Sequence, residues 1–139
     1  MADDGSNPFR HACGDDGANC YVRNHKPRIE LLAPLLPARC AFTDIDGLFE
    51  RGGRFLFLEW KGWSRPRPLS RGQEIAYRGL VDLSDRICVV VALGDPLTME
   101  AHHVRWFHRD GSAEDWRACS GDAFRRFIKA RGERFNVGR

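Results

Sequence analysis

No stretch of this chain is apolar for the roughly 18 residues that a membrane-spanning helix needs, so a bilayer partner is not expected. The opening residues, MADDGSNPFR, lack the basic patch and apolar core of a secretory signal. Cysteine is sparse, odd in number and scattered: Cys13, Cys20, Cys40, Cys88 and Cys119 include no Cys-x2-4-Cys pair. That pattern argues against a disulfide framework and points to reduced thiols. Together these absences give the expectation of a soluble, cytoplasmic protein. Internal repeats and interdomain linkers are also missing. The net charge is only +3, which permits a polyanionic partner without requiring one.

What is present is ordinary globular chemistry. The chain has 139 residues, 42% of them hydrophobic and 29% charged. One domain of this length buries about two-thirds of its unfolded surface, enough for a real core. Residues 1–25 read as an irregular, glycine-rich arm and 26–139 as a single domain. The arm carries His11, Cys13, Cys20 and His25, which raise the question of zinc. Their spacing is wrong for a common finger, and the reading favours a loosely packed arm over a Zn²⁺ site.

Charge is unevenly placed. From Lys61 to Arg78 five basic residues (Lys61, Arg65, Arg67, Arg71, Arg78) face one acid, Glu74. From Gly121 to Arg139 six basic residues face Asp122 and Glu133. Both runs could meet phosphates, although any single arginine is more simply a solvated one.

Pro27 to Ala33 reads as a short helix with Pro27 in its first turn and Ile29, Leu32 and Leu36 on one face, limited by Pro34 and Pro37. Residues 38–48 lead into a short strand, with Phe42 and Ile45 apolar and Asp44 and Asp46 alternating across the pleat. Glu50-Arg51-Gly52-Gly53-Arg54 is a hairpin turn, its two glycines supplying positive φ. Phe55-Leu56-Phe57-Leu58 is continuously apolar, hence a central strand covered on both faces, with Glu59 and Lys61 emerging together at its end. Ser70-Arg71-Gly72-Gln73 has the form of a capping box opening a helix to about Leu83, with Ile75, Ala76 and Leu80 inward. Residues 87–93, including Cys88, form a second buried strand, and 99–107 an edge strand. Ala113 to about Arg131 reads as a terminal helix with Trp116, Phe124, Phe127 and Ile128 as its stripe and an interruption at Gly121. The expected fold is α/β: a central mixed sheet of four or five strands flanked by helices.

The chemistry-bearing residues cluster between positions 44 and 77. Phosphodiester hydrolysis needs charge offset at the phosphate, an activated water and help for the leaving oxygen, all of which a bound Mg²⁺ can give. Magnesium takes oxygen ligands and keeps several waters, so one or two carboxylates suffice. With the turn centred at Gly52-Gly53, Asp46 and Glu59 fall almost opposite each other. The Trp60 backbone carbonyl is a further ligand, and Lys61 points with Glu59, where an amine can orient water or offset charge. Gln73 and Tyr77 lie one helical turn apart on one face. Each has a plainer reading: an exposed Glu59–Lys61 ion pair, Asp46 as turn chemistry, Gln73 as half a capping box, Tyr77 as packing, Asp44 and Glu30 as solvated side chains.

Asp46-Gly47-Leu48, then Glu59-x-Lys61 on a hydrophobic strand, then Gln73-x-x-x-Tyr77, resembles the PD-(D/E)xK nuclease superfamily, the last element its RecB-like branch. Residues 39–47, 55–61 and 72–73 are also similar to small phage proteins. The resemblance covers about residues 38–95. It implies a restriction-endonuclease-like core, dependence on Mg²⁺ or Mn²⁺, and cleavage of DNA. Asp46 and Glu59 would bind metal, Lys61 would serve the water, and Glu30 would match an acidic residue that some members carry on their first helix. The chain departs from the pattern at Ile45, where the family has proline before the first aspartate, and in the proline-rich loop after Lys61. Arg65, Arg67, Arg71 and Arg78 would track the nucleic-acid backbone. A homodimer through the terminal helix is a further expectation. So is a non-catalytic alternative: a phage factor on a nuclease-like scaffold that binds a host defence complex.

Overall fold

The computed structural model describes residues 29–37, 45–110 and 112–136. The chain divides into two compact units, Met1–Phe42 and Thr43–Arg139, so the domain expected over 26–139 spans this boundary.

In the first unit Ile29–Leu35 is a 3-10 helix with Pro34 inside it. A short helix is expected here and its winding is 3-10, so what changes is the face expected to join Ile29, Leu32 and Leu36. Pro34 has no N–H to continue an α ladder, and the tighter winding aligns positions 29, 32 and 35 rather than 29, 32 and 36. Leu36 N donates to Ala33 O at 3.1 Å to close the segment.

The second unit is built on a hairpin. Strand β1 (Gly47–Arg51) pairs antiparallel with β2 (Arg54–Lys61), from Gly47 opposite Leu58 to Arg51 opposite Arg54. Gly52 and Gly53 have φ of 61° and 74°, the pair of positive angles that a two-residue turn matched to strand twist demands. Helix α1 (Arg71–Leu83) then crosses to β3 (Ile87–Asp95), which runs parallel to β2. Strand β4 (Glu100–Phe107) returns antiparallel to β3, and the two-residue β5 (Arg117–Ala118) pairs with β4. Helix α2 (Gly121–Asn136) follows. The sheet order is β1-β2-β3-β4-β5, and the described residues form an α/β fold with a mixed sheet between two helices.

Alternation along the central strands sorts the core into two layers. Leu56, Val90, Ala92 and Val104 face α2, meeting Phe124 and Phe135. Val89, Val91 and Phe107 face α1, meeting Tyr77 and Val81. Val89 to Leu93 is at most 1% exposed. Each Val and Leu side chain among them contributes roughly 1.5–3 kcal/mol of burial, which is why β3 tolerates no polar residue there.

Three expectations change. The segment 113–120 is not helical, and Trp116 lies outside α2. Glu114 N donates to Trp106 O and Cys119 N to His102 O, so this segment satisfies the open edge of β4 instead. Ser120 then caps α2, its Oγ accepting from Ala123 N at 3.1 Å. Residues 100–107 consequently do not form the sheet's edge. Finally, Ile75 is 62% exposed, because Gln73, Tyr77 and Val81 set the inward stripe of α1 and position 75 points away from it.

Gly94 sits where the register of β3 and β4 shifts. A Cβ there would lie 1.9 Å from the Glu100 carbonyl oxygen, whereas one at Gly79 meets nothing within 4 Å. Gly94→Ala is expected to cost about 3 kcal/mol or more by overpacking, and Gly79→Ala to gain about 0.5–1 kcal/mol from helix propensity. Urea denaturation of the two variants beside the wild type checks both signs.

Candidate active site

In a strand–helix–strand unit with parallel strands, the helix must start near the end where the first strand finishes. β2 finishes at Lys61 and α1 starts at Arg71, so the first turn of α1 returns to the carboxyl end of β2, the end of an open parallel sheet where ligands bind. Ser70 caps the helix, its Oγ accepting from Gln73 N at 3.2 Å. The Gln73 side chain does not make the reciprocal bond of a capping box. Its Nε2 donates to Glu59 Oε1 at 3.0 Å instead.

Glu59 Oε1 also accepts from Lys61 Nζ at 2.6 Å. Among the described residues Glu59, 7% exposed, is the only charged one that is buried. A carboxylate taken out of water costs several kcal/mol unless it is neutralised and hydrogen-bonded. Lys61 supplies the charge and Gln73 the second donor. The reading of an exposed ion pair is therefore corrected: the Lys61 side chain is itself only 15% exposed.

Tyr77 follows one turn after Gln73, 3% exposed, its ring edge-on to Phe107 with centroids 5.4 Å apart. Its Oη is enclosed and makes no hydrogen bond of regular geometry among the described residues. Burial first, then the charge of Glu59, its polar contact with Glu59 and the charge of Asp46 push the phenol well above its ordinary range. Both carboxylates thus act on one hydroxyl.

Asp46 precedes β1, and the register that sets Gly47 against Leu58, continued by one residue, sets 46 against 59. The Trp60 N–H is the donor that a further rung of the ladder would use. Asp46 Oδ2 accepts it at 2.6 Å. Asp46 therefore ends the hairpin ladder with a side chain, and the Trp60 carbonyl leaves the strand on the same edge as its N–H. The Trp60 indole is anchored separately, Nε1 donating to Gly94 O at 3.2 Å.

The proline-rich loop after Lys61 is pinned rather than loose. Lys61 Nζ lies 5.6 Å and the Arg67 guanidinium 5.1 Å from the Trp63 ring centroid. Trp116 Nε1 donates to Arg67 O at 3.0 Å, and Leu69 is buried. Of the basic residues expected at a backbone, Arg65 and Arg71 are exposed, Arg67 is stacked on Trp63, and Arg78 pairs with Glu74 at 3.6 Å. Glu74 also bonds Arg105, a strut between α1 and β4 that the sequence reading missed. Only the alternation of β4, which puts Arg105 opposite Val91, would have hinted at it. His11, Cys13, Cys20, His25, Asp44 and the side chain of Glu30 lie outside the described residues.

No group of three His, Cys, Asp or Glu side chains gathers as a metal cage among the described residues. A hard divalent ion needs less. The Asp46 and Glu59 carboxylates and the Trp60 carbonyl offer oxygen, the donor type that Mg²⁺ and Mn²⁺ take, with Asp46 Oδ2 and Glu59 Oε1 already held by hydrogen bonds. Comparison with protein-family models, curated proteins and solved structures finds no match. Among the described residues no helix is long and apolar enough to cross a membrane.

Two outcomes follow from the burial of these charges. Lys61→Met alone should cost roughly 3 kcal/mol by stranding Glu59, while Glu59→Leu with Lys61→Met should restore stability to near the wild type or beyond. Urea denaturation of the four-member cycle measures this. The raised Tyr77 value carries a sign: above about pH 10 the unfolded chain releases this proton and the folded chain keeps it. Stability should then fall by up to about 1.4 kcal/mol per pH unit. Tyr77→Phe should remove that part of the slope in unfolding curves between pH 9 and 11.

Proposed function

We propose that this chain is a metal-dependent nuclease that hydrolyses DNA phosphodiester bonds on a restriction-endonuclease-like core. The observation that carries the reading is Glu59, buried at the carboxyl end of β2 and held by Lys61 and Gln73, with Asp46 on the adjoining edge. A buried ion pair adds little stability over an apolar substitute, so its presence at a strand end calls for a chemical reason.

Asp46, Glu59 and the Trp60 carbonyl would hold Mg²⁺ or Mn²⁺, which supplies charge neutralisation at the phosphate and an acidified water. The chain's own groups do the rest. Lys61, fixed against Glu59, donates toward the attacking water or a phosphate oxygen and offsets charge as it develops. Gln73 fixes the Glu59 carboxylate, and Asp46 fixes the end of β2 through the Trp60 N–H. Tyr77 stays protonated and closes the inner side of the site, so it acts as neither base nor ligand. Exposed Arg65 and Arg71, on the loop and first turn beside Lys61, would meet the phosphates of the strand.

The test is incubation with single- and double-stranded DNA in Mg²⁺ or Mn²⁺. Cleavage that EDTA stops is expected, lowered at least ~10²-fold by Glu59→Ala and by Lys61→Ala and about tenfold by Gln73→Ala. No cleavage in any of these conditions, or full activity in the Glu59 and Lys61 variants, removes the proposal.

A further inference from the structure

The opposite end of the sheet carries a cleft of about 750 Å³ that the proposed hydrolytic site does not use. It opens where β2 begins, β3 begins and β4 ends, with the last two turns of α2 along one side. Six arginines line it: Arg54, Arg86, Arg109, Arg117, Arg131 and Arg134. Only Asp85 and Glu114 oppose them, and Glu114 is engaged by Arg117 at 3.3 Å and His108 at 3.1 Å. The lining thus concentrates more positive charge than the net +3 of the whole chain. The fixed positive charges of the lining are all arginines, the side chain whose planar fork matches phosphate.

Aromatic rings accompany the charge. Trp106 and Phe127, both half-buried, line the same cleft, with ring centroids 4.1 Å apart and the Arg131 guanidinium 5.3 Å from the Phe127 centroid. Guanidinium groups interleaved with ring faces are the elements of a surface that follows a phosphate backbone and stacks bases. We propose that this cleft binds single-stranded nucleic acid, as a site separated from Glu59 by the five residue steps of β2 from Arg54, about 17 Å. The binding holds whether or not Glu59 performs hydrolysis.

The experiment is fluorescence anisotropy of a labelled 20-nucleotide single strand with the full chain in EDTA, titrated across salt. Arg86→Glu with Arg109→Glu, both exposed, should weaken binding at least tenfold and shallow the log–log salt slope by about 1.4. Arg126→Glu with Lys129→Glu, exposed on α2 but outside the cleft, changes net charge equally and should have under a third of that effect on log Kd. Circular dichroism melting checks folding, and Arg86→Gln with Arg109→Gln serves if the reversed pair melts early. Equal losses from the cleft and control pairs, or no binding at low salt, would overturn the proposal. Displacement of the strand by a free nucleoside triphosphate at matched phosphate concentration would also overturn it, assigning the cleft to a mononucleotide.

Discussion

The second unit is arranged around one electrostatic constraint, the burial of the Glu59 carboxylate. β2 is central, with partners on both edges and helices over both faces, so the Glu59 charge loses its water. The remedy is built from sequence spacing and topology together. Lys61 is two residues on and therefore on the same face of the strand. Gln73 is in the first turn of a helix that must begin at this end of β2 in order to deliver β3 parallel to it. Donors from two elements, Lys61 on β2 and Gln73 on α1, converge on one oxygen of Glu59, and none of the three residues could be moved by one position without losing the contact.

Asp46 enters through a second constraint, the hairpin register. Two glycines with positive φ close the turn and leave no freedom in how β1 meets β2. A slip of one residue would carry the whole of β1 to the other face. The turn therefore decides, from seven residues away, that Asp46 meets the edge of β2 at Trp60. This part of the site was readable in advance because it depends only on local rules: turn chemistry, the period of two along a strand, and a helix cap at Ser70. Burial of Glu59 was less readable, since it depends on what α1 lays over the strand end, and the carboxylate's donors were separated only by the observed destination of the Gln73 side chain.

The misread elements share a physical cause. Trp116, Phe124, Phe127 and Ile128 have spacings compatible with one helix, yet Trp116 belongs to a segment that completes β4 and Phe124 to α2. Periodicity records which side chains are apolar and says nothing of which strand edge lacks hydrogen bonds. The break at Gly121 was the local signal, and its poor helix propensity is resolved by making it the first helical residue after the Ser120 cap. Ile75 misled for a related reason. Its hydrophobicity suggested an inward position, but the inward stripe of α1 is fixed by Gln73 and Tyr77 reaching Glu59, a polar anchor that a hydrophobic pattern cannot register.

Charge shows the same gap between linear and spatial order. The basic run from Lys61 to Arg78 looks like the natural place for a polyanion, but Lys61 is committed to Glu59, Arg67 to Trp63 and Arg78 to Glu74. The larger concentration of arginine gathers from Arg54, Arg86, Arg109 and Arg117, each isolated in sequence, with Arg131 and Arg134 from the terminal run. Parallel and antiparallel strands explain how. Strand starts and strand ends from different parts of the chain meet at one end of a mixed sheet, so single charges placed at those positions add in space without adding in sequence. The sheet consequently separates its charges by sign, acidic side chains at the carboxyl end of β2 and guanidinium groups at its amino end, with an apolar layer on each face between them.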